Sequence, residues 1–109
     1  MKISELSEAL CLEVLAMPDP DREVRGGYVG DLLSWVMGRA QADNLWITIM
    51  TNINVLAVAS LSDVSAVVIA EGAEIDEDIV KKAQEQGINL LRSSLPAYET
   101  ALAAGKLIG

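Results

Sequence analysis

The sequence predicts a single α/β domain built on a mostly parallel β-sheet with flanking helices. From Asp31 onwards, helical and strand-like segments alternate along the chain. Alternation with short connections produces parallel strands with helices packed against the sheet. The segment SAVVIAEG, residues 65–72, is a continuous apolar run, which is typical of a parallel strand buried on both faces. The 109 residues, 51% of them apolar, are enough for one domain with one core.

The segments before Asp31 form an extension to this alternation. KISELSEAL places its apolar residues on one helical stripe, which predicts a short N-terminal helix. CLEVLAM is typical of a strand, and we expect its Cys11 to be a small core residue. PDPD at 18–21 predicts a turn, so residues 1–21 form an N-terminal helix-and-strand extension. REVRGGYVG is a β-like segment in which Gly26 and Gly27 indicate a bulge or a close backbone approach.

The middle of the chain predicts a helix, a strand and a second helix. Asp31 is a suitable N-cap for the helix LLSWVMGRA. LWITIM has the β-branched and aromatic residues of a strand. A helical pattern then begins at Ile53, and Asn52 or Asn54 is predicted to cap it.

The last third of the chain contains the clearest helix, IDEDIVKKAQEQG. Asp76 can cap this helix, and Gly87 is predicted to end it. INLLRS is predicted as a last strand. PAYETALAAGKL is predicted as a closing helix, with Pro96 in its first turn.

Composition excludes several classes of function. The net charge of −8 and the scattered basic residues argue against nucleic acid and against an anionic membrane surface. One cysteine and no histidine exclude an internal disulfide framework and a Cys/His zinc site. Neither a catalytic constellation nor a signal-peptide pattern is present. We therefore expect a soluble, cytoplasmic protein that is not an enzyme and has no metal or other cofactor.

Candidate binding residues follow from the predicted sheet. Ligands of open α/β sheets bind beyond the carboxyl ends of the strands. Three strand-to-helix junctions lie there: Thr51–Asn54, Ala70–Gly72 and Ser93–Pro96. The first two supply our candidates, and the serines of the third are most simply helix caps. The alternative for the first junction is that Asn52 or Asn54 only caps its own helix, and the alternative for the second is that Glu71 is a solvated loop acid. We expect ligand contacts from Thr51, Asn52, Asn54, Glu71 and Gly72, with Gly26, Gly27 and Asp31 nearby.

From Arg22 to the C-terminus the sequence resembles the DRTGG domain family. The resemblance rests on a strand, a T-x-x-x-V-L segment leading into a helix, and the segments VVIAEG, IDEDI, GINLL and YETA in that order. It covers about four-fifths of the chain. Stand-alone proteins with GGYVGDLLSWVMG and TNINVLAVA are similar to this one, and the resemblance implies an association with iron-hydrogenase gene clusters of anaerobic bacteria.

The resemblance also implies a function. The family's Asp-Arg pair falls on Thr51-Asn52, and its Thr-Gly-Gly falls on Ala70-Glu71-Gly72, where only Gly72 matches. The family is identified with adenine-nucleotide binding in some regulatory enzymes. We therefore expect a non-catalytic regulatory module with an adenine nucleotide or related small molecule as its ligand. We also expect a homodimer with an enzyme partner, an iron hydrogenase or a related enzyme. The alternative is a dimeric interaction or scaffold protein with a degenerate ligand site.

Overall fold

A computed structural model describes residues 1–109 and contains five helices and five strands. In chain order these are α1 (Ile3–Ala9), β1 (Glu13–Ala16), β2 (Gly27–Val29), α2 (Leu33–Arg39), β3 (Leu45–Thr48), α3 (Asn54–Ser62), β4 (Ala66–Ile69), α4 (Glu77–Gln86), β5 (Leu90–Arg92) and α5 (Ala97–Ile108).

The strands form one sheet in the order β1-β5-β4-β3-β2. Strands β2, β3, β4 and β5 are parallel to their neighbours, and β1 is antiparallel to β5. The prediction of a single domain with a mostly parallel sheet and flanking helices is confirmed. Because β1 and β2 lie at opposite sides of the sheet, the early part of the chain supplies both of its outer edges.

The helices form two layers because parallel crossovers are right-handed. From β2 to β5 the chain always steps to the next strand in the same direction, so α2, α3 and α4 lie on one face. Helices α1 and α5 cover the opposite face, where Ile3, Leu6 and Ala104 pack against Leu45 and Leu91. One face therefore has three helices over five strands and the other has two.

The core between these layers is aliphatic apart from one indole. Strands β3 and β4 are buried on both faces, in agreement with their continuous apolar sequences. Trp46 is completely buried in β3, and its indole N–H donates to the backbone carbonyl of Gly30 at 2.9 Å. This bond satisfies the one polar group that the side chain takes into the core.

Cys11 does not lie in the core, and the prediction that it does was wrong. The residue has a φ of +52° in the turn between α1 and β1, and its side chain is exposed. The strand predicted as CLEVLAM begins only at Glu13, so Cys11 belongs to the turn. Gly87, by contrast, ends α4 as predicted, with a left-handed φ of +77°. No helix is long and apolar enough to cross a membrane.

Candidate functional site

The carboxyl ends of the four parallel strands open on one edge of the sheet. The chain leaves β2 at Gly30, β3 at Ile49, β4 at Ala70 and β5 at Ser93. Three of the following connections enter α3, α4 and α5, so the N-termini of these helices point to the same edge. This is the place where open α/β sheets bind ligands.

Asp31 lies at this edge but does not cap α2. Its Oδ1 accepts hydrogen bonds from the Thr48 hydroxyl at 2.7 Å and from the Ile49 backbone N–H at 2.9 Å. The N-cap position of α2 belongs to Leu32, which has no capping side-chain bond. The capping prediction was wrong because the end of β3 offers the carboxylate two donors at once. Asp31 thereby joins the end of β2 to the end of β3.

Asn52 or Asn54 was predicted to cap the helix after β3. The N-cap residue of α3 makes no side-chain capping bond, and the Asn52 side chain forms a local bond one residue before it. The Asn52 Oδ1 accepts from the Asn54 backbone N–H at 2.9 Å, and the Asn52 backbone carbonyl accepts from the Val55 N–H at 3.1 Å. Ile53, already helical in its backbone, occupies the N-cap position. The Asn54 side chain makes no hydrogen bond within the chain.

Three consecutive backbone N–H groups, those of Thr51, Asn52 and Ile53, have no acceptor within the chain. They precede a nine-residue helix with no acid in its first turn. Helices α4 and α5 do carry first-turn acids. The partial positive charge at the start of α3 is therefore the least compensated of the three.

Glu71 and Gly72 form a left-handed turn after β4, with φ of +66° and +61°. Their N–H groups donate to the carbonyls of Leu95 at 2.9 Å and Ser93 at 2.7 Å. This pairing joins the connection after β4 to the one after β5 and occupies both N–H groups. The Glu71 side chain is exposed to solvent, so only its carboxylate is available to a ligand.

The Ser93 side chain stabilises the connection between β5 and α5. Its hydroxyl lies 2.8 Å from that of Thr100 and accepts from the Leu95 N–H at 3.1 Å, and both side chains are buried. The N-cap position of α5 is Pro96, so neither serine caps the helix in the way predicted.

The Gly26-Gly27 pair is not brought together with the other predicted residues. Gly27 opens β2 and pairs with Leu45, the first residue of β3, so both glycines lie at the amino ends of the strands. They line an apolar groove of about 270 Å³ between β2, β3 and α5. Gly26 needs its φ of +65°, which a glycine adopts without strain. Thr51, Asn52, Asn54, Glu71, Gly72 and Asp31 remain at the carboxyl edge.

Arg92, a basic group at the end of β5, is already paired, a feature the sequence analysis missed. Arg92, at the end of β5, binds both carboxylate oxygens of Glu13 at 2.8 and 2.9 Å and donates to the Ala73 carbonyl. The Arg92 hydrogen bond lowers the pKa of Glu13 below its usual value. No three His, Cys, Asp or Glu residues lie together in a way that could hold a metal ion. The polar groups of the edge are therefore backbone donors, side-chain amides and the Asp31 and Glu71 carboxylates, with Lys82 in the cleft that Ile53 and Asn54 line.

Comparison with known proteins gives a family and a related structure. The model of the DRTGG domain matches residues 5–107. A solved structure of the CBS and DRTGG domains of the regulatory region of Clostridium perfringens pyrophosphatase, complexed with the activator diadenosine tetraphosphate, is similar in fold, with a TM-score of 0.71 and 13% identity. The match covers 94% of this chain and 45% of that one, so this chain spans about half of that region. No curated protein matches the sequence.

Because the family model covers nearly the whole chain, the chain belongs to the DRTGG domain family. The family match begins before Arg22 and includes most of α1 and all of β1. These elements are part of the same sheet and core as the rest of the domain.

Proposed function

We propose, proceeding from the chain's membership of the DRTGG domain family, that the protein is a non-catalytic regulatory module that senses an adenine nucleotide or a related small molecule. Family membership is the observation that carries this proposal. The similar Clostridium perfringens region is regulatory and is complexed with an adenine dinucleotide activator. That region also contains CBS domains. We propose that the DRTGG domain of this chain binds a ligand of the same chemical class.

The proposed contact point for the ligand is the turn at the start of α3. Backbone N–H groups at a helix N-terminus bind phosphate without a basic side chain. The N–H groups of Thr51, Asn52 and Ile53 are free of partners within the chain, and the Asn52 and Asn54 side chains are exposed beside them. Asp31 and Glu71 add negative charge to the same edge. We therefore expect weak binding of polyphosphates, with affinity that depends on ionic strength.

The direct test is a titration of the ¹⁵N-labelled chain with AMP, ATP and diadenosine tetraphosphate, followed by amide chemical shifts. The expected result is saturable movement of the Thr51, Asn52 and Ile53 signals, while the Gly26 and Gly27 signals stay in place. Saturable shifts confined to another surface would retain a ligand but refute this site. No saturable shift at millimolar ligand would refute the ligand-sensing function.

Two substitutions at one position sharpen this test. Asn52→Arg supplies a charge-assisted phosphate partner, and Asn52→Asp supplies a like charge. A charge-assisted hydrogen bond of about 1.4 kcal/mol changes affinity roughly tenfold. We therefore expect Asn52→Arg to tighten polyphosphate binding about tenfold and Asn52→Asp to weaken it similarly. Equal affinities in both variants would place the phosphates elsewhere.

The finer part of the proposal is an accessory role in anaerobic hydrogen metabolism with an iron hydrogenase or a related enzyme as partner, in the cytoplasm. It is supported by the sequence resemblance alone. The test is to add the purified chain, with and without nucleotide, to a purified iron hydrogenase and to measure both complex formation and hydrogen evolution. A hydrogenase that neither binds the chain nor changes in rate would refute this part and leave ligand sensing intact.

The second candidate function is that of an interaction or scaffold module. The observation that favours it is the exposure of large apolar side chains on two helices. Leu32, Trp35 and Met37 lie on or beside α2, and Tyr98 and Leu102 lie on α5, each about half exposed or more. These two helices lie on opposite faces of the sheet, so each face has its own exposed apolar side chains, and such side chains are typical of protein contact surfaces where they form a patch. This function predicts self-association or partner binding that nucleotides do not change.

A further inference from the structure

The two outer edges of the sheet differ in how they are protected. An unpaired edge strand presents free backbone N–H and C=O groups to any other strand, and proteins usually block such an edge. On β1, the pairing with β5 is irregular between Val14 and Ala16, Glu13 supplies a charge, and Pro18 follows shortly after the strand. Bulges, charges and prolines are the devices that prevent a further strand from pairing. The β1 edge is therefore protected.

The β2 edge has no such protection. Its residues are Gly27, Tyr28 and Val29, with no charge, no proline and no irregularity in the pairing with β3. The Leu45 N–H donates to the Gly26 carbonyl, and the Gly30 N–H donates to the Ile47 carbonyl, so Gly26 and Gly30 face β3. Backbone groups alternate in direction along a strand, which turns the N–H and C=O of Gly27 and Val29 outwards. No group within the chain bonds them.

We propose that this edge pairs with the β2 edge of a second copy of the chain, in antiparallel orientation about a two-fold axis through Tyr28. In this register Gly27 faces Val29 of the second copy, and Val29 faces its Gly27. Both are hydrogen-bonded pairs, so the two strands exchange about four backbone hydrogen bonds. The two sheets of five strands become one continuous sheet.

The residues that flank β2 are complementary in the same register. The second pair outwards, beyond the end of the strand, places Arg25 near Asp31 of the second copy, on both sides of the axis. The Arg25 N–H donates to the Asp43 carbonyl and its carbonyl accepts from the Asn44 side chain, so the contact is made by the side chain and not by the backbone. Arg25 is exposed and forms no salt bridge in its own chain. Asp31 bonds Thr48 and Ile49 through Oδ1 alone, which leaves Oδ2 free to accept. Gly26 changes the direction of the chain with a φ of +65°. The Arg25 side chain is long enough to extend back to the Asp31 carboxylate of the second copy.

The side chains along the axis also fit a second copy. The two Tyr28 residues form a non-hydrogen-bonded cross-strand pair, in which side chains lie closest and aromatic pairs are favourable. On the α5 face, Val29 is 51% exposed beside the apolar groove that Gly27 and Gly105 also line. Gly27 has no side chain, so Val29 of the second copy has space to pack against it. Pairing therefore covers an apolar side chain that the single chain leaves in water.

The two edge valines provide a matched test by sedimentation velocity and light scattering from micromolar to millimolar concentration. Val14 on β1 and Val29 on β2 are both 51% exposed. We expect the wild type to approach twice its 11.6 kDa chain mass. Val29→Lys should weaken dimerisation at least about tenfold, because an edge lysine blocks pairing, and Val14→Lys should leave it unchanged. Circular dichroism of both variants establishes that each is folded.

A second substitution pair tests the charges. Arg25→Glu places a like charge opposite Asp31 and should weaken the dimer, whereas Arg25→Lys should retain most of the affinity. In hydrogen exchange, the Gly27 and Val29 amides should slow with rising protein concentration, and the Tyr28 amide, which faces β3, should be slow throughout.

A monomer at millimolar concentration would overturn the proposal, as would a dimer that Val29→Lys does not weaken. A dimer broken by Val14→Lys would move the interface to the other edge and equally refute this one. The β2 edge runs along the side of the sheet, apart from the α3 turn. A monomer that binds nucleotide at residues 51–53 would therefore refute the dimer and leave the ligand proposal standing.

Discussion

Asn89→Asp should destabilise the domain more than any exposed substitution of the same kind. Asn89 is buried at the start of β5. Its side-chain N–H₂ donates to the carbonyls of Asp19 at 2.8 Å and Ser65 at 3.0 Å, and its Oδ1 accepts from the Asp19 N–H at 3.0 Å. One amide thus joins the turn after β1 to the entrances of β4 and β5. A carboxylate of the same shape keeps the acceptor but replaces the NH₂ group, with its two donors, by one oxygen that faces both carbonyls.

The size of the effect follows from these contacts. A buried charge without a partner costs about 3–5 kcal/mol, against a total stability of about 5–15 kcal/mol for a domain of this size. Burial and the facing carbonyls raise the pKa of the new carboxyl in the folded state above its unfolded value of about 3.9. The loss should therefore be smallest below about pH 3.9 and should grow as the pH rises through the folded-state pKa.

Urea unfolding followed by the fluorescence of the buried Trp46 measures this loss. With a slope of about 1–3 kcal/mol/M, the midpoint at neutral pH should fall by at least about 1 M. Asn52→Asp, on an exposed asparagine at a helix start, is the control and should change the free energy of unfolding by less than about 0.5 kcal/mol. Asn89→Ala should cost about 1–3 kcal/mol with no dependence on pH beyond that of the wild type. Equal losses for Asn89→Asp and Asn52→Asp, or a loss that does not shrink in acid, would refute this reasoning.

Two further predictions concern glycines and an ion pair. Gly38→Ala should stabilise the domain by about 0.5–1 kcal/mol, because Gly38 lies inside α2 with open space around it. Gly87→Ala should destabilise it by about 1–2 kcal/mol, because a φ of +77° strains an alanine, and thermal melting of both variants should give shifts of opposite sign. Arg92 lowers the pKa of Glu13, so their pairing adds stability above the unfolded-state pKa and loses it as the pH falls through the lower folded-state value. In an NMR titration Arg92→Gln should raise the pKa of Glu13, and an unchanged value would contradict the pairing.

The sequence predicted those parts of the fold that depend on local patterns. Apolar runs located β3 and β4, and helical periodicity with a terminal Gly87 located α4. The rule that parallel crossovers are right-handed then gave a sheet with flanking helices. The carboxyl-edge turns at Thr51 and Glu71 also followed, because the end of a strand can be read from where its apolar run stops.

Long-range pairings could not be predicted in this way. Asp31 has the sequence context of a helix cap, yet its carboxylate accepts from two donors at the end of β3 instead. The N–H groups of Glu71 and Gly72 look available in sequence but are occupied by the connection after β5. The Gly26-Gly27 pair was placed near the wrong ends of the strands, since a β-like segment does not reveal which of its ends lies beside a candidate site.

These pairings also limit the kind of ligand that the carboxyl edge can hold. The N–H groups of Glu71 and Gly72, in the turn after β4, donate to carbonyls in the connection after β5. They are therefore not available to bind a phosphate. Arg92 is held by Glu13, and the basic side chain beside the α3 turn is Lys82, which lines a surface cleft with Ile53 and Asn54. Affinity for an anion must then come from the start of α3, where the helix dipole is worth about 0.3–1 kcal/mol at an exposed site, and from the neighbouring Lys82. A ligand that binds tightly here would therefore have to gain most of its affinity from uncharged parts, such as a base held by the asparagine amides, and a polyphosphate alone should bind weakly. Inorganic triphosphate that bound as tightly as ATP would contradict this conclusion.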